Sequence, residues 1–428
     1  MVTQTETETQ SNSSTWTPPQ GNSSQWGSQR PVTLTSTSTS HANGSITFNA
    51  GASLPDIEAI GPVSSPLSTW QKENNIDPNK QVKMVKLAHM RYQHPNLTEI
   101  TTFMRDFGMH IVKQDSSDNG VAERIWFRGY GPDQYVYYAQ RGPKQFLGGT
   151  FEVESLAELE KATQIPGASP EGIIDLAAVG APGGGKMLTL LDPEGFAINL
   201  LHGQEPAPKG DFPTKVIVND EVEKPRVRKF NRFTPGPAAV HKLGHYGLCV
   251  QEFAKQVEWY TRYFNLAPTD FLFVPDSSAV AAAAPSSSFG KDEEGKAGDE
   301  KEGRQGTKDV AAFLHIDRGA TPVDHHTFFM STNKTKHVHH CSFEVHDYDT
   351  QHLGHQWLGS RGYTSVWGIG RHILGSQIFD YWWDTTGNMV EHYADGDLVN
   401  NETPVSWSDA KDESLSVWGP EVPSWFLH

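Results

Sequence analysis

Cysteine is scarce: Cys249 and Cys341 are the two in 428 residues. Two thiols make no disulfide framework. Both lie in apolar, strand-like runs, so buried thiols in a reducing, cytoplasmic setting are expected. Long apolar runs are also missing. No stretch approaches the roughly 18 residues of a membrane-spanning helix, and the opening MVTQTETETQSNSSTW lacks the basic and apolar regions of a secretion signal. No membrane partner is expected. Positive charge is in deficit, with 35 Lys and Arg against 51 Asp and Glu, a net charge of −16. Such a chain is poorly suited to polyanions, which argues against nucleic acid as a partner. Several catalytic signatures are absent: no His-Glu-x-x-His, no Cys pair at metal spacing, no Gly-x-Ser-x-Gly. Gly180-Ala181-Pro182-Gly183-Gly184-Gly185-Lys186 approaches a phosphate loop, but Met187 stands where Ser or Thr would hold magnesium.

What is present is organised. Residues 1–60 are rich in Ser, Thr, Gln and Asn and cannot repay their ordering entropy, so a disordered tail is expected. A second low-complexity stretch, 276–308, runs from Ala and Ser into mixed charge and reads as a mobile insertion. Between them lies a repeat. Lys86-Leu87-Ala88-His89 returns as Lys242-Leu243-Gly244-His245, and Phe151-Glu152-Val153 returns as Phe343-Glu344-Val345. Gly195 in DPEGFAIN returns as Gly387 in DTTGNMVE. The insertion accounts for the longer offset of the last two matches. Each copy begins with a strand and continues with an amphipathic helix, marked by Leu97, Ile100, Phe103 and Phe107 in one and Phe253, Val257, Tyr260 and Phe264 in the other. Short aromatic and β-branched runs follow, the pattern of strands. We therefore expect two α+β domains, 61–225 and 226–400, and a C-terminal extension, 401–428, whose Trp407, Trp418 and Trp425 either cover a cavity or pack passively.

The second copy carries His245, His340 and Glu391, each on a predicted strand. Two imidazoles and a carboxylate with open positions form the facial triad typical of non-haem Fe(II) oxygenases; Mn(II) accepts a similar set. In the first copy the equivalent positions are His89, Gly148 and Asn199, so that copy keeps the scaffold and lacks the ligands. Near the triad in sequence stand His325, His326, His372 and Tyr381, groups suited to proton handling. His337 and His339 have the opposite strand parity to His340 and are expected to face away, at an edge or on the surface.

These pieces resemble the extradiol ring-cleaving dioxygenases of the vicinal oxygen chelate superfamily, which also holds glyoxalase I and the bleomycin-resistance proteins. The resemblance covers about 80–400. It is carried by LGHYGLCV with the helix EFAKQVEWYTRYFNL, by HH before TFFM, by HHCSFEV, and most specifically by GRHILGSQIFDYWWDTTGNMVEHYADGD. It implies tandem vicinal oxygen chelate domains built from βαβββ modules, forming curved, partly open mixed sheets. It implies Fe(II), less often Mn(II), on His245, His340 and Glu391. One of His325 and His326 becomes the acid–base residue, with His325 favoured because Thr327 completes a His-x-Thr pattern. His372 bonds a substrate hydroxyl and Tyr381 a substrate oxygen. The implied partners are a catecholic substrate and O2, with self-assembly into homo-oligomers. Leu374 and Gly375 depart from the Asn and Asp that many bacterial biphenyl-type members carry there, which bears on substrate preference. The Ser/Thr-rich start and charged insertion fit a fungal member better than a compact bacterial one. Two rival functions stand beside this reading: a glyoxalase-like isomerase or hydrolase on the same fold, and a non-catalytic small-molecule binder.

Overall fold

A computed structural model describes residues 63–208, 213–214, 216–276, 304, 306–411 and 415–426. The expected tail 1–60 and nearly all of the expected insertion 276–308 lie outside the described residues. The described chain opens with β1 (Val63–Ser65) and α1 (Leu67–Glu73). Two βαβββ units then make one sheet. The first unit is β2 (Met84–His94), α2 (Leu97–Asp106), β3 (His110–Ser116), β4 (Ala122–Arg128) and β5 (Tyr137–Arg141). The second is β6 (Gln145–Val153), α3 (Leu156–Ala162), β7 (Ile174–Asp175), β8 (Lys186–Leu191) and β9 (Ala197–His202). The sheet order is β3-β4-β5-β2-β6-β9-β8-β7. The opening strands of the two units, β2 and β6, pair antiparallel at the centre, and each unit's last strand lies parallel to its first.

A second sheet repeats this plan. Its units are β10 (Val240–Val250), α4 (Phe253–Tyr263), β11 (Leu266–Pro275), β12 (Thr307–Ile316) and β14 (Phe328–Thr332), then β15 (His337–Val345), α5 (Tyr348–Ser360), β16 (Ser365–His372), β17 (Ile378–Trp383) and β18 (Met389–Ala394). Within the first unit, β13 (Val323–Asp324) branches off to pair with β19 (Leu398–Val399). The order is β11-β12-β14-β10-β15-β18-β17-β16, extended by β20 (Val405–Asp409) with β1 beyond it on the β11 edge, and by β21 (Ser416–Trp418) on the β16 edge. The result is an α+β fold of two curved, partly open mixed sheets from four βαβββ units. The C-terminal segment belongs to the second sheet, with β20 added beside β11 and β21 beside β16. No helix among the described residues is long and apolar enough to cross a membrane.

The repeat extends to backbone irregularities. On β2 the register with β6 slips between Met84 and Lys86, Leu87 and His89, and Arg91 and Tyr92. On β10 the register with β15 slips between Val240 and Lys242, Leu243 and His245, and Gly247 and Leu248. Each slip has its counterpart in the other copy. Such bulges bend a strand and re-aim its side chains.

The amphipathic helices pack as their spacing requires. Leu97, Ile100, Phe103 and Met104 of α2 are fully buried, and Asn96 caps the helix by accepting from the amides of Thr98 and Glu99. The end of α2 meets the second sheet. The Phe107 ring stacks 3.7 Å from His392, whose Nε2 donates to the Phe107 carbonyl at 2.7 Å. Asp106 accepts from the Trp357 indole and the Tyr363 hydroxyl, at 3.0 and 2.9 Å. The Asn265 side chain, next to β11, brackets Met84 of β2 by accepting from its amide and donating to its carbonyl. One continuous apolar core runs through both sheets.

Candidate metal centre

Three adjacent strands place the ligand candidates. His245 on β10 faces Ser342 on β15, and Ser342 faces Glu391 on β18, so one row crosses three strands. His340 stands two residues before Ser342, opposite Gly247. A Cβ at Gly247 would sit 2.6 Å from the Phe329 ring and 3.3 Å from His340, so only glycine lets both approach. His245, His340 and Glu391 are all buried, and their ligand atoms form one compact group. Nε2 of His245 lies 3.1 Å from Nε2 of His340 and 3.1 Å from Oε2 of Glu391, and the His340–Glu391 separation is 3.6 Å.

These separations fit a cation. Donors on one face of an octahedron with bonds of about 2.1 Å stand about 3.0 Å apart. Neither Glu391 oxygen receives a well-directed hydrogen bond although both are buried, a costly state for a carboxylate unless an ion compensates it. Burial alone would push the Glu391 carboxyl up; the adjacent His245 outweighs this and holds it below the usual range. The triad is thus a 2-His-1-carboxylate set for a divalent metal.

The sequence-nominated proton handlers surround it unequally. His326 lines a cavity of about 370 Å³ that opens from the triad, with its ring 4.2 Å from that of His245. His325, the favoured member of the pair, does not line that cavity. Its Nε2 faces Asp270 Oδ2 at 2.7 Å and its Nδ1 faces His326 Nδ1 at 3.1 Å. With Asp270 accepting from Nε2–H of His325, Nδ1 of His325 is the acceptor and His326 Nδ1–H the donor. That tautomer leaves His326 Nε2 free to take a proton. Burial, then the neighbouring His245, keeps the His326 imidazole neutral, well below its ordinary value.

His372 and Tyr381 both line the cavity. His372 Nδ1 donates to the Leu415 carbonyl at 2.9 Å, so its Nε2 accepts from the Tyr381 hydroxyl at 3.0 Å. Burial and then the charge of Glu391 push the Tyr381 phenol well above its usual value, which keeps it a proton donor. Among the nearby aromatics, Phe329 and Trp367 line the cavity, whereas Phe328 and Trp382 join the core.

The expectation for His339 is overturned. It is 5% exposed, with Nδ1 2.6 Å from His340 Nδ1 and Nε2 donating to the Phe426 carbonyl at 2.8 Å. The physical reason is the bulge: Val338 pairs with Leu248 and His340 with Gly247, so His339 is the extra residue and strand parity fails there. His337 is exposed, as expected, although the bulge removes the parity argument for it too. Sequence reasoning also missed Asp270, Leu415 and Phe426. The signal for Asp270 was available, since a lone carboxylate inside the apolar run LAPTDFLFVP needs a partner.

In the first sheet His89, Gly148 and Asn199 occupy the equivalent registers. Asn199 is engaged otherwise, accepting from Thr189 at 2.7 Å and donating to the Leu147 carbonyl at 3.0 Å. Gly148 has φ +104°, and a Cβ there would lie 2.8 Å from the Ala197 carbonyl oxygen.

No family model matches the chain. Metapyrocatechase 2 of Cupriavidus necator is 36% identical over 120 residues, 28% of this chain and 37% of that protein. The chain therefore spans little more than a third of the length of that relative. The Mn(II)-bound glyoxalase from Novosphingobium aromaticivorans superposes with TM-score 0.58 at 16% identity, covering 80% of this chain and 94% of that one. Homoprotocatechuate 2,3-dioxygenase from Arthrobacter globiformis gives 0.59 at 16% identity, with 83% and 95% covered. At such identities the likeness shows the fold. The chain shares with both the fold of two curved sheets built from βαβββ units.

Proposed function

We propose that this protein is an extradiol dioxygenase. It opens a catecholic ring beside its two hydroxyls and incorporates both atoms of O2, with Fe(II), or alternatively Mn(II), on His245, His340 and Glu391. The observation that carries the reading is the placement of that triad at the inner end of an apolar cavity bordered by His326, His372 and Tyr381. When bound, the ion supplies Lewis acidity and mediates electron transfer between the two reactants. The protein's own groups handle position and protons. His326 Nε2 accepts a catechol proton and later returns it, with His325 and Asp270 holding its tautomer. The Tyr381 hydroxyl donates to a substrate oxygen, and His372 orients that hydroxyl. The aromatic wall excludes water, which strengthens each of these contacts.

The glyoxalase-like alternative shares the fold, but only three ligands cluster among the described residues, all from one sheet. A mere binder needs no oriented histidine chain. A cytoplasmic location and a fungal source belong to the same reading, supported by the two free thiols and by the sequence composition. The test is dioxygen uptake by anaerobically purified, Fe(II)-reconstituted protein across a panel of catechols, with absorbance followed for ring-opened products. Uptake matched to product, and lost in His340→Ala and Glu391→Ala, is expected. One bound Fe(II) per chain without uptake on any catechol would sink the proposal.

A further inference from the structure

The cavity extends well past the metal ligands, and its character changes along the way. Tyr246 pairs with Phe328, which puts His245 level with Thr327. Ser331, four residues further along β14, also lines the cavity. At the rise of a strand that is about 13 Å beyond His245 and about 7 Å beyond His340, which lies level with Phe329. Ser331 pairs with Ala311, and Ala311 with Leu272, so this depth is a ring of neighbouring strands and not a stray crevice. The outer wall is apolar: Leu272, Val310, Ala311, Leu374, Ala410 and Leu415. Two of these are alanines, which leave room where larger side chains would fill the barrel. At about 370 Å³ the space suits a ligand larger than a single ring, since pockets for such molecules run from roughly 300 to 1,000 Å³.

Charge is distributed just as unevenly. No arginine lines this cavity among the described residues, and its one lysine, Lys308, is exposed and lies at the end farthest from the triad, opposite Val274. A carboxylate carried close to the catechol ring would be buried without a cationic partner, which is unfavourable. An alkyl or aryl arm would instead exchange water for apolar contacts along its whole length.

Resting on the dioxygenase reading, we propose that the substrate is a catechol bearing an extended apolar substituent, lodged along Leu272, Ala311 and Leu374. Short carboxylated catechols are poor substrates of the same site. The test uses the full-length, Fe(II)-loaded protein. Anaerobic binding is followed by quenching of tryptophan fluorescence, to which Trp367 in the wall contributes, and turnover is followed separately by dioxygen uptake. The probes are catechol, its methyl to butyl derivatives, and the carboxylated catechols dihydroxybenzoate and dihydroxyphenylacetate.

Affinity is expected to rise about fourfold per methylene, so that butylcatechol binds about a hundredfold or more tighter than catechol. The two acids should bind more weakly than catechol itself. A flat alkyl series, or tighter binding of the acids, with catechol still bound and cleaved, overturns the substrate class and leaves the dioxygenase reading standing. Failure of every catechol to bind overturns both. Ala311→Leu provides a second arm: with its fold checked by circular dichroism, it should cut the butylcatechol-to-catechol affinity ratio at least tenfold. An unchanged ratio places the substituent elsewhere and overturns the assignment to this wall.

Discussion

At the scale of single residues, histidines in this chain act through the partner of their second nitrogen. His340 can offer Nε2 to an ion because its Nδ1 faces His339, and His339 is fixed in turn by the Phe426 carbonyl. Ligands held this way lose metal affinity when the support is removed. His339→Leu is therefore expected to weaken Fe(II) binding roughly 10–100-fold, and His339→Gln, which retains an acceptor, to restore part of it; competition with a chromogenic chelator measures both. Much of the centre was legible in the chain itself. His245, His340 and Glu391 stood out because the repeat supplied a control copy with Gly148 and Asn199 at two of the three positions. His339 was misread because alternation presumes an unbroken ladder, and nothing local in HVHHCSFEV announces a bulge. The choice between His325 and His326 also depended on tertiary structure. The partner that distinguishes the two, Asp270 against His325, lies 55 residues earlier in the chain.

At the scale of elements, the repeated strand–helix–strand order was legible from periodicity, because α2 and α4 each need one buried stripe. The edge strands were not. β1, β20 and β21 are short, and their pairing is long-range, so no pattern within their own windows records it. β20 nevertheless carries a large share of the packing. Trp407 is 4% exposed, stacks on Phe271 at 5.5 Å and lies under the Arg304 guanidinium at 4.3 Å. Trp407→Ala should destabilise the protein by about 3–5 kcal/mol, read as a lower denaturation midpoint. The loss should be visible at both β20 partners, β11 and β1, as faster amide exchange.

At the scale of the whole molecule, the contact between the sheets depends on neutral histidines. Burial holds His94 and His392 down to about 4. His94 bridges Thr386 and Tyr137 at 2.7 and 2.9 Å, and His392 binds the Phe107 carbonyl. In the unfolded chain both titrate near 6.5. Above that pH neither state takes up a proton and their contribution is complete. As pH falls from 6.5 towards 4, the unfolded chain binds protons that the folded chain refuses, so stability declines by about 3 kcal/mol for each histidine. Urea titrations at pH 5 and 7 should show about 2 kcal/mol of this drop per histidine. In His94→Gln the drop should shrink, while an unchanged pH dependence would exclude His94 as a source.

The backbone at Gly148 limits how the first sheet could be engineered. Its counterpart His340 has an ordinary negative φ, whereas φ at Gly148 is +104° and the Ala197 carbonyl occupies the space a side chain would need. The first sheet cannot acquire a centre by exchanging side chains alone, because the main chain fills the space a ligand side chain would need. The double substitution Gly148→His, Asn199→Glu would have to move the backbone before it could build a centre, and the two halves are committed to unequal work.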